Sequence, residues 1–186
     1  MKKIAMVFMA LGMLATQNVD AQKSTEKTVM VGGAAMYPSK NIVENAMNSK
    51  DHTTLVAAVK AAGLVETLQG KGPFTVFAPT NAAFDKLPEG TVATLLKPEN
   101  KAKLAAVLTY HVVAGNIDSK ELVKKIKAGG GKATLATVNG ATLTASLDGD
   151  KVVITDANGG KAHVTIADVY QSNGVIHVTD AVSLPK

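Results

Sequence analysis

The sequence predicts an α+β domain in which helices come first and strands last. Two changes along the chain carry this. Apolar residues recur at spacings of three and four over residues 41–128, the mark of amphipathic helices. Over residues 134–182 the period shortens to alternation. That stretch is cut by Asn139-Gly140, Asp148-Gly149-Asp150, Asn158-Gly159-Gly160 and Asn173-Gly174, the turn signals of an antiparallel meander. A third observation sets the count: no internal repeat is present, so the pattern describes one domain with one core.

In order, Asn41 opens a first helix with Ile42, Val43, Ala46 and Met47 on one face. A second helix starts at Thr53 or Thr54, either of which has the hydroxyl to cap it. It repeats Leu55, Val56, Val59 and Ala62, and stops at Gly63, where a left-handed residue is needed. Leu64, Val65 and Leu68 add one helical turn. Residues 74–78 form a short run, apolar but for Thr75, between Pro73 and Pro79, which predicts a buried strand. Pro79-Thr80-Asn81 then starts another helix, Thr80 or Asn81 supplying the capping oxygen. Short helices follow at residues 91–96 and 100–109, the latter turning Leu104, Val107 and Leu108 inward. Leu122, Val123 and Ile126 mark a last helix, lysine-flanked and closed by Gly129-Gly130-Gly131.

The N-terminus reads as an export signal. Lys2 and Lys3 precede an uncharged apolar run at residues 4–15, shorter than the ~20 residues of a spanning helix. Val19 and Ala21 stand where a signal peptidase prefers small residues, so cleavage is expected after Ala21. With no cysteine, a lipoprotein-type thioether anchor is chemically excluded, as are disulfides and thiolate metal sites. The expected organisation is a signal at residues 1–21, a flexible lead-in at 22–40 and the domain at 41–186. No membrane span is expected after signal removal, and the chain is expected to be secreted or periplasmic.

The net charge of +5 falls to +4 once Lys2, Lys3 and Asp20 leave with the signal (two positives and one negative lost). Every basic residue is a lysine. Nucleic-acid readers favour guanidinium forks and stacking aromatics, both poorly supplied here, so no nucleic-acid partner is expected. Enzyme signatures are absent too: no G-x-S-x-G, no H-E-x-x-H and no phosphate loop. Asp156-Ala157-Asn158-Gly159-Gly160 has the start of a calcium loop, but Lys161 and Ala167 stand where its glycine and glutamate belong. A turn is the better reading. The lysines around Ile126 read as a solvated helix face.

Residues 72–84 read G-P-F-T-V-F-A-P-T-N-A-A-F, and residues 172–185 read S-N-G-V-I-H-V-T-D-A-V-S-L-P, with Tyr110-His111 between them. This ordered set resembles the fasciclin-like domain family, over residues 41–185. The resemblance implies an antiparallel β-wedge or sandwich with helices packed along it. It places the two end motifs side by side, and His177 near Thr80 and Asn81 as a structural polar cluster. Tyr110-His111 corresponds to the family's tyrosine–histidine segment, which in some animal members is implicated in integrin binding. Here the pair sits in L-T-Y-H-V-V. That apolar setting favours packing over an exposed contact, and Tyr110→Phe is accordingly expected to be mild. The resemblance further implies a monomeric, non-enzymatic adhesion or surface-interaction module without a cofactor, its partner a cell-surface or matrix protein or glycan. The alternative is an extracellular protein that binds a small ligand or polysaccharide.

Overall fold

The computed structural model describes residues 27–186. The signal expected at residues 1–21 and its cleavage after Ala21 lie outside them. In chain order the elements are β1 (Val29–Val31), β2 (Ala34–Met36), α1 (Ile42–Ala46), α2 (Thr53–Ala62) and α3 (Val65–Gln69). Then come β3 (Phe74–Pro79), α4 (Asn81–Asp85), α5 (Thr91–Leu95), α6 (Lys101–Tyr110), β4 (Val112–Ala114) and α7 (Ser119–Ala128). Five strands finish the chain: β5 (Lys132–Ala136), β6 (Thr142–Asp148), β7 (Lys151–Thr155), β8 (Lys161–Gln171) and β9 (Gly174–Thr179). The class is α+β: the helices all precede β5–β9, while β1–β4 lie before or among them.

Seven strands form one sheet in the order β4-β3-β9-β8-β7-β6-β5. All pairs are antiparallel except β3 with β9, which run parallel from Phe74↔Gly174 to Pro79↔Thr179. The two end motifs therefore lie side by side at the centre. Val138 N donates to Val112 O at 2.8 Å, and Val113 bridges Thr137, so the sheet's two edges meet and nearly close it. Closure removes part of the free backbone edge that would otherwise invite pairing with another chain.

The central strands are covered on both faces, which is why residues 74–78 are apolar but for Thr75, whose hydroxyl donates to Gly115 O at 2.7 Å and accepts from Ile117 N at 2.8 Å. Val76, Ala78, Ile176 and Val178 face a core built with Ile42, Leu55, Leu104 and Leu108. Phe77 turns the other way, into a second core with Tyr110, Leu122, Ile126, Leu143 and Ile154. The single core expected from the sequence is thus two, divided by β3 and β9.

Caps explain the element starts. Asn41 and Glu44 form a reciprocal capping box on α1, and the Thr80 hydroxyl accepts from Ala83 N on α4. Gly63 ends α2 at φ 72°, as its position predicts. The start of α2 differs from expectation. Neither Thr53 nor Thr54 caps it; Asn81 Oδ1 does, accepting from Thr54 N at 3.0 Å and from the Thr53 hydroxyl at 3.2 Å. The lead-in also differs over part of its length. β1 and β2 pair across Gly32-Gly33 and bury Val31 and Met36 in the first core. Strands of three residues carry too little alternation to be read locally. No helix among the described residues is long and apolar enough to cross a membrane.

Candidate functional site

Tyr110 and His111 stand where α6 ends and β4 begins, at the seam between the two cores. Leu104 and Leu108 hold α6 against the first core, so its last residue, Tyr110, is delivered into the second. Its side chain is fully enclosed, at 0 % exposure. The hydroxyl donates to Thr142 O at 2.8 Å and accepts from Ala157 N at 3.0 Å. One phenol thus ties α6 to β6 and to the turn after β7.

His111 is 3 % exposed. Ser183 N donates to its Nε2 at 3.0 Å, so that nitrogen is unprotonated. Nδ1 carries the hydrogen and donates to Val107 O at 2.8 Å. The same C-terminal strap is held a second time, by Asp156: Oδ2 accepts from Leu184 N at 2.9 Å, while Oδ1 accepts from Asn158 N and Gly160 N. The Asp156–Gly160 segment is a turn that grips the chain's end, and its carboxylate is spent on backbone amides.

His177 lies on β9 opposite Phe77 of β3, its ring stacked on the phenyl at 5.7 Å between centroids and 26° between planes. It is 1 % exposed. Asp168 N approaches Nδ1 at 3.4 Å, and Nε2 donates to Ile117 O at 2.8 Å. Asp168 sits at a β8 irregularity with φ 59°. Its carboxylate accepts from Ser119 N at 2.7 Å and from the Ser119 hydroxyl at 2.5 Å, holding the first residue of α7. Ser119, Asp168 and His177 therefore make no nucleophile–base pair: the serine bonds the carboxylate, and the histidine bonds backbone.

The expected cluster of Thr80, Asn81 and His177 is not one cluster. Thr80 caps α4, and Asn81 bridges to Thr53, Thr54 and Lys50 O at the head of α2. The histidine at that end of β3 is His52, absent from the sequence-derived candidates. It bonds the Ser49 hydroxyl at 2.9 Å and Ala78 O at 3.4 Å. Asn45 and Asn173 were also missed. Asn45, with no exposed surface, bonds Gln171 and the Tyr37 backbone; Asn173 ties the β8–β9 turn to α1 and α3. A helix-face asparagine gives no local sign that its partner lies across the fold.

Burial pushes His52, His111 and His177 below the ordinary histidine value of 6.5; acceptor carbonyls and nearby carboxylates oppose the shift but do not reverse it. The unfolded chain takes up protons near pH 6.5 where the folded chain resists them. Stability from these groups is therefore complete above about pH 6.5 and lost progressively as pH falls below it. The slope approaches about 1.4 kcal/mol per pH unit for each histidine still neutral in the fold. Urea midpoints measured between about pH 7.5 and 5 should fall steadily; a flat profile would mean that the histidines titrate alike in both states.

Against known proteins, the fasciclin domain model matches residues 50–185. The chain is 49 % identical to the Synechocystis protein sll1483 over 181 residues, covering 97 % of this chain and 93 % of that one. It is 32 % identical to the cell surface glycolipoprotein MPB83 of Mycobacterium bovis over 170 residues, 89 % of this chain and 70 % of that one. Among solved structures, a FAS1 domain pair from the insect cell adhesion molecule fasciclin I superposes with a TM-score of 0.70 at 18 % identity. That match covers 85 % of this chain and 58 % of the pair's, and at such identity it bears on the fold alone.

Proposed function

The chain belongs to the fasciclin domain family, and from that premise we propose that it is an exported, non-enzymatic module for adhesion or association at a cell surface or matrix. Family membership is the observation that carries the reading. The name of the relative MPB83, a cell surface glycolipoprotein, supports a place outside the cytoplasm, as does the composition of residues 1–21. The fate of the chemical groups supports a non-enzymatic role. His52, His111 and His177 each donate to a backbone carbonyl, and His163 pairs with Asp180 at the surface.

With Tyr110 and His111 enclosed, contact with a partner falls to the exposed surface rather than to that pair. The partner is a cell-surface or matrix protein or glycan, met by a monomer. Deleting the gene should reduce surface attachment or biofilm, and adding the purified chain back should restore it. Intact mass of the exported form should begin at Gln22. Unchanged attachment in the deletion strain, or a chain that keeps residues 1–21 on a membrane-bound species, would count against the reading.

A further inference from the structure

We infer that an open polar cleft beside the β8–β9 turn binds an acidic polysaccharide, one whose sugars carry carboxylates. This deepens the surface-interaction reading and rests on it. The cleft holds about 520 Å³ between the segment after α3, Asn116 after β4, and the 171–174 turn. Its frame is cross-tied. Asn173 Nδ2 donates to Leu68 O at 2.8 Å and Gly70 O at 3.0 Å, and its Oδ1 accepts from Ile42 N at 3.0 Å. Phe74 N donates to Asn173 O at 3.0 Å, and Gly115 N to Pro73 O at 2.9 Å. A frame fixed in this way presents its side chains with little ordering left to do on binding.

Four exposed side chains stand on that frame: Gln69, Lys71, Asn116 and Ser172. Among the described residues none of the four makes a hydrogen bond or ion pair. Two amides and a hydroxyl both donate and accept, which suits the hydroxyls of a pyranose ring. The ammonium of Lys71 is the cation of the lining, and no aspartate or glutamate is part of it. Glu44 is not part of the lining, and its carboxylate accepts from the backbone N of Asn41, a lining residue, at 2.9 Å. A lone ammonium among neutral donors matches a carboxylated sugar. A nucleic acid would need several cations along its backbone, and an apolar ligand would find a polar wall.

Two exposed tyrosines adjoin the lining segments without lining the cleft themselves. Tyr37, 41 % exposed, begins the turn that ends at Lys40, whose carbonyl accepts from Ser172 N at 2.9 Å. The Lys40 ammonium stands 5.1 Å above the Tyr37 ring. Tyr170, 44 % exposed, precedes Gln171, and its hydroxyl donates to Asp118, two residues past Asn116. Asp118 stands outside the lining, and its carboxylate also accepts from Glu121 N at 2.8 Å.

The test is isothermal titration of the chain with oligogalacturonate and, separately, with neutral cello-oligosaccharide. Parent protein should bind the uronate saturably. Lys71→Ala should weaken it about tenfold or more, and Asn116→Ala by a smaller factor. Thermal midpoints should not move, since both side chains are exposed and unbonded. Lys124→Ala, on the exposed face of α7, should leave binding intact. No uronate binding, equal affinity for the neutral oligomer, or equal weakening by Lys124→Ala would each overturn the inference. Parent protein that restores attachment but binds no uronate removes this site and leaves the wider reading standing. Uronate binding by a protein whose deletion leaves attachment unchanged supports the cleft and removes the wider reading.

Discussion

Tyr110→Ala is expected to destabilise the domain by about 3–5 kcal/mol, as for other large-to-small changes at a filled core site. The ring touches the second core throughout, and its loss also frees Thr142 O and Ala157 N, which the phenol now satisfies. Tyr110→Phe separates these terms. It keeps the packing and should cost about 1 kcal/mol or less, because Thr142 and Ala157 are exposed residues whose carbonyl and amide can turn to water when the phenol is gone. That is the mild effect expected from the sequence, and the same measurement tests it. Denaturant unfolding of both variants gives the answer. If Tyr110→Ala unfolds like the parent while surface attachment disappears, the ring is an exposed contact and the packing role described here is wrong.

A second large effect is expected at Gly174. A Cβ there would overlap the carbonyl oxygen of Phe74, and the neighbouring Phe74 carbonyl carbon and amide nitrogen each lie 2.9 Å away. Backbone cannot step aside as a flexible side chain can, so Gly174→Ala must push apart the parallel β3–β9 pair at its first rung. The cost should be about 3 kcal/mol, the upper end for over-packing. Gly149 is the control. Its φ of 59° favours glycine, but open space lies where a Cβ would stand. Gly149→Asn should stay within about 1 kcal/mol, since asparagine tolerates the left-handed region. Matching unfolding midpoints for Gly174→Ala and the parent would show that the two strands need not approach so closely.

Local patterns made much of this fold legible. The apolar run at residues 74–78, the Thr80 cap, the Gly63 stop and the four late turn signals each express a rule that acts over a few residues. The structure contains them where the pattern puts them. Long-range partners left no such mark. Asn81 caps a helix 27 residues earlier in the chain, and Ser183 bonds a histidine 72 residues away. His52 and Asn45 are polar residues on otherwise ordinary segments, and only the assembled fold explains why they are buried. The β1–β2 hairpin was invisible for a related reason. Its strands are too short for alternation to rise above chance, and they hold because Val31 and Met36 find a core already formed by α1, α2 and β9.

Taken alone, the sequence determined the α+β class, the order of the helices and the late strands, and, through the family resemblance, the fasciclin-like identity and the pairing of the two end motifs. The class and the order follow from periodicity and turn chemistry, written in near neighbours; the pairing of the end motifs is what the family resemblance implies. Tertiary structure decided where each polar group ends. It divided one expected core into two, scattered the expected Thr80–Asn81–His177 cluster, and enclosed Tyr110 and His111 as ties between segments. It also gathered Gln69, Lys71, Asn116 and Ser172 around one cleft. The physical reason is that a buried polar group must find a partner, while the sequence states only that it needs one. Which carbonyl or amide answers is set by how the two cores pack against β3 and β9.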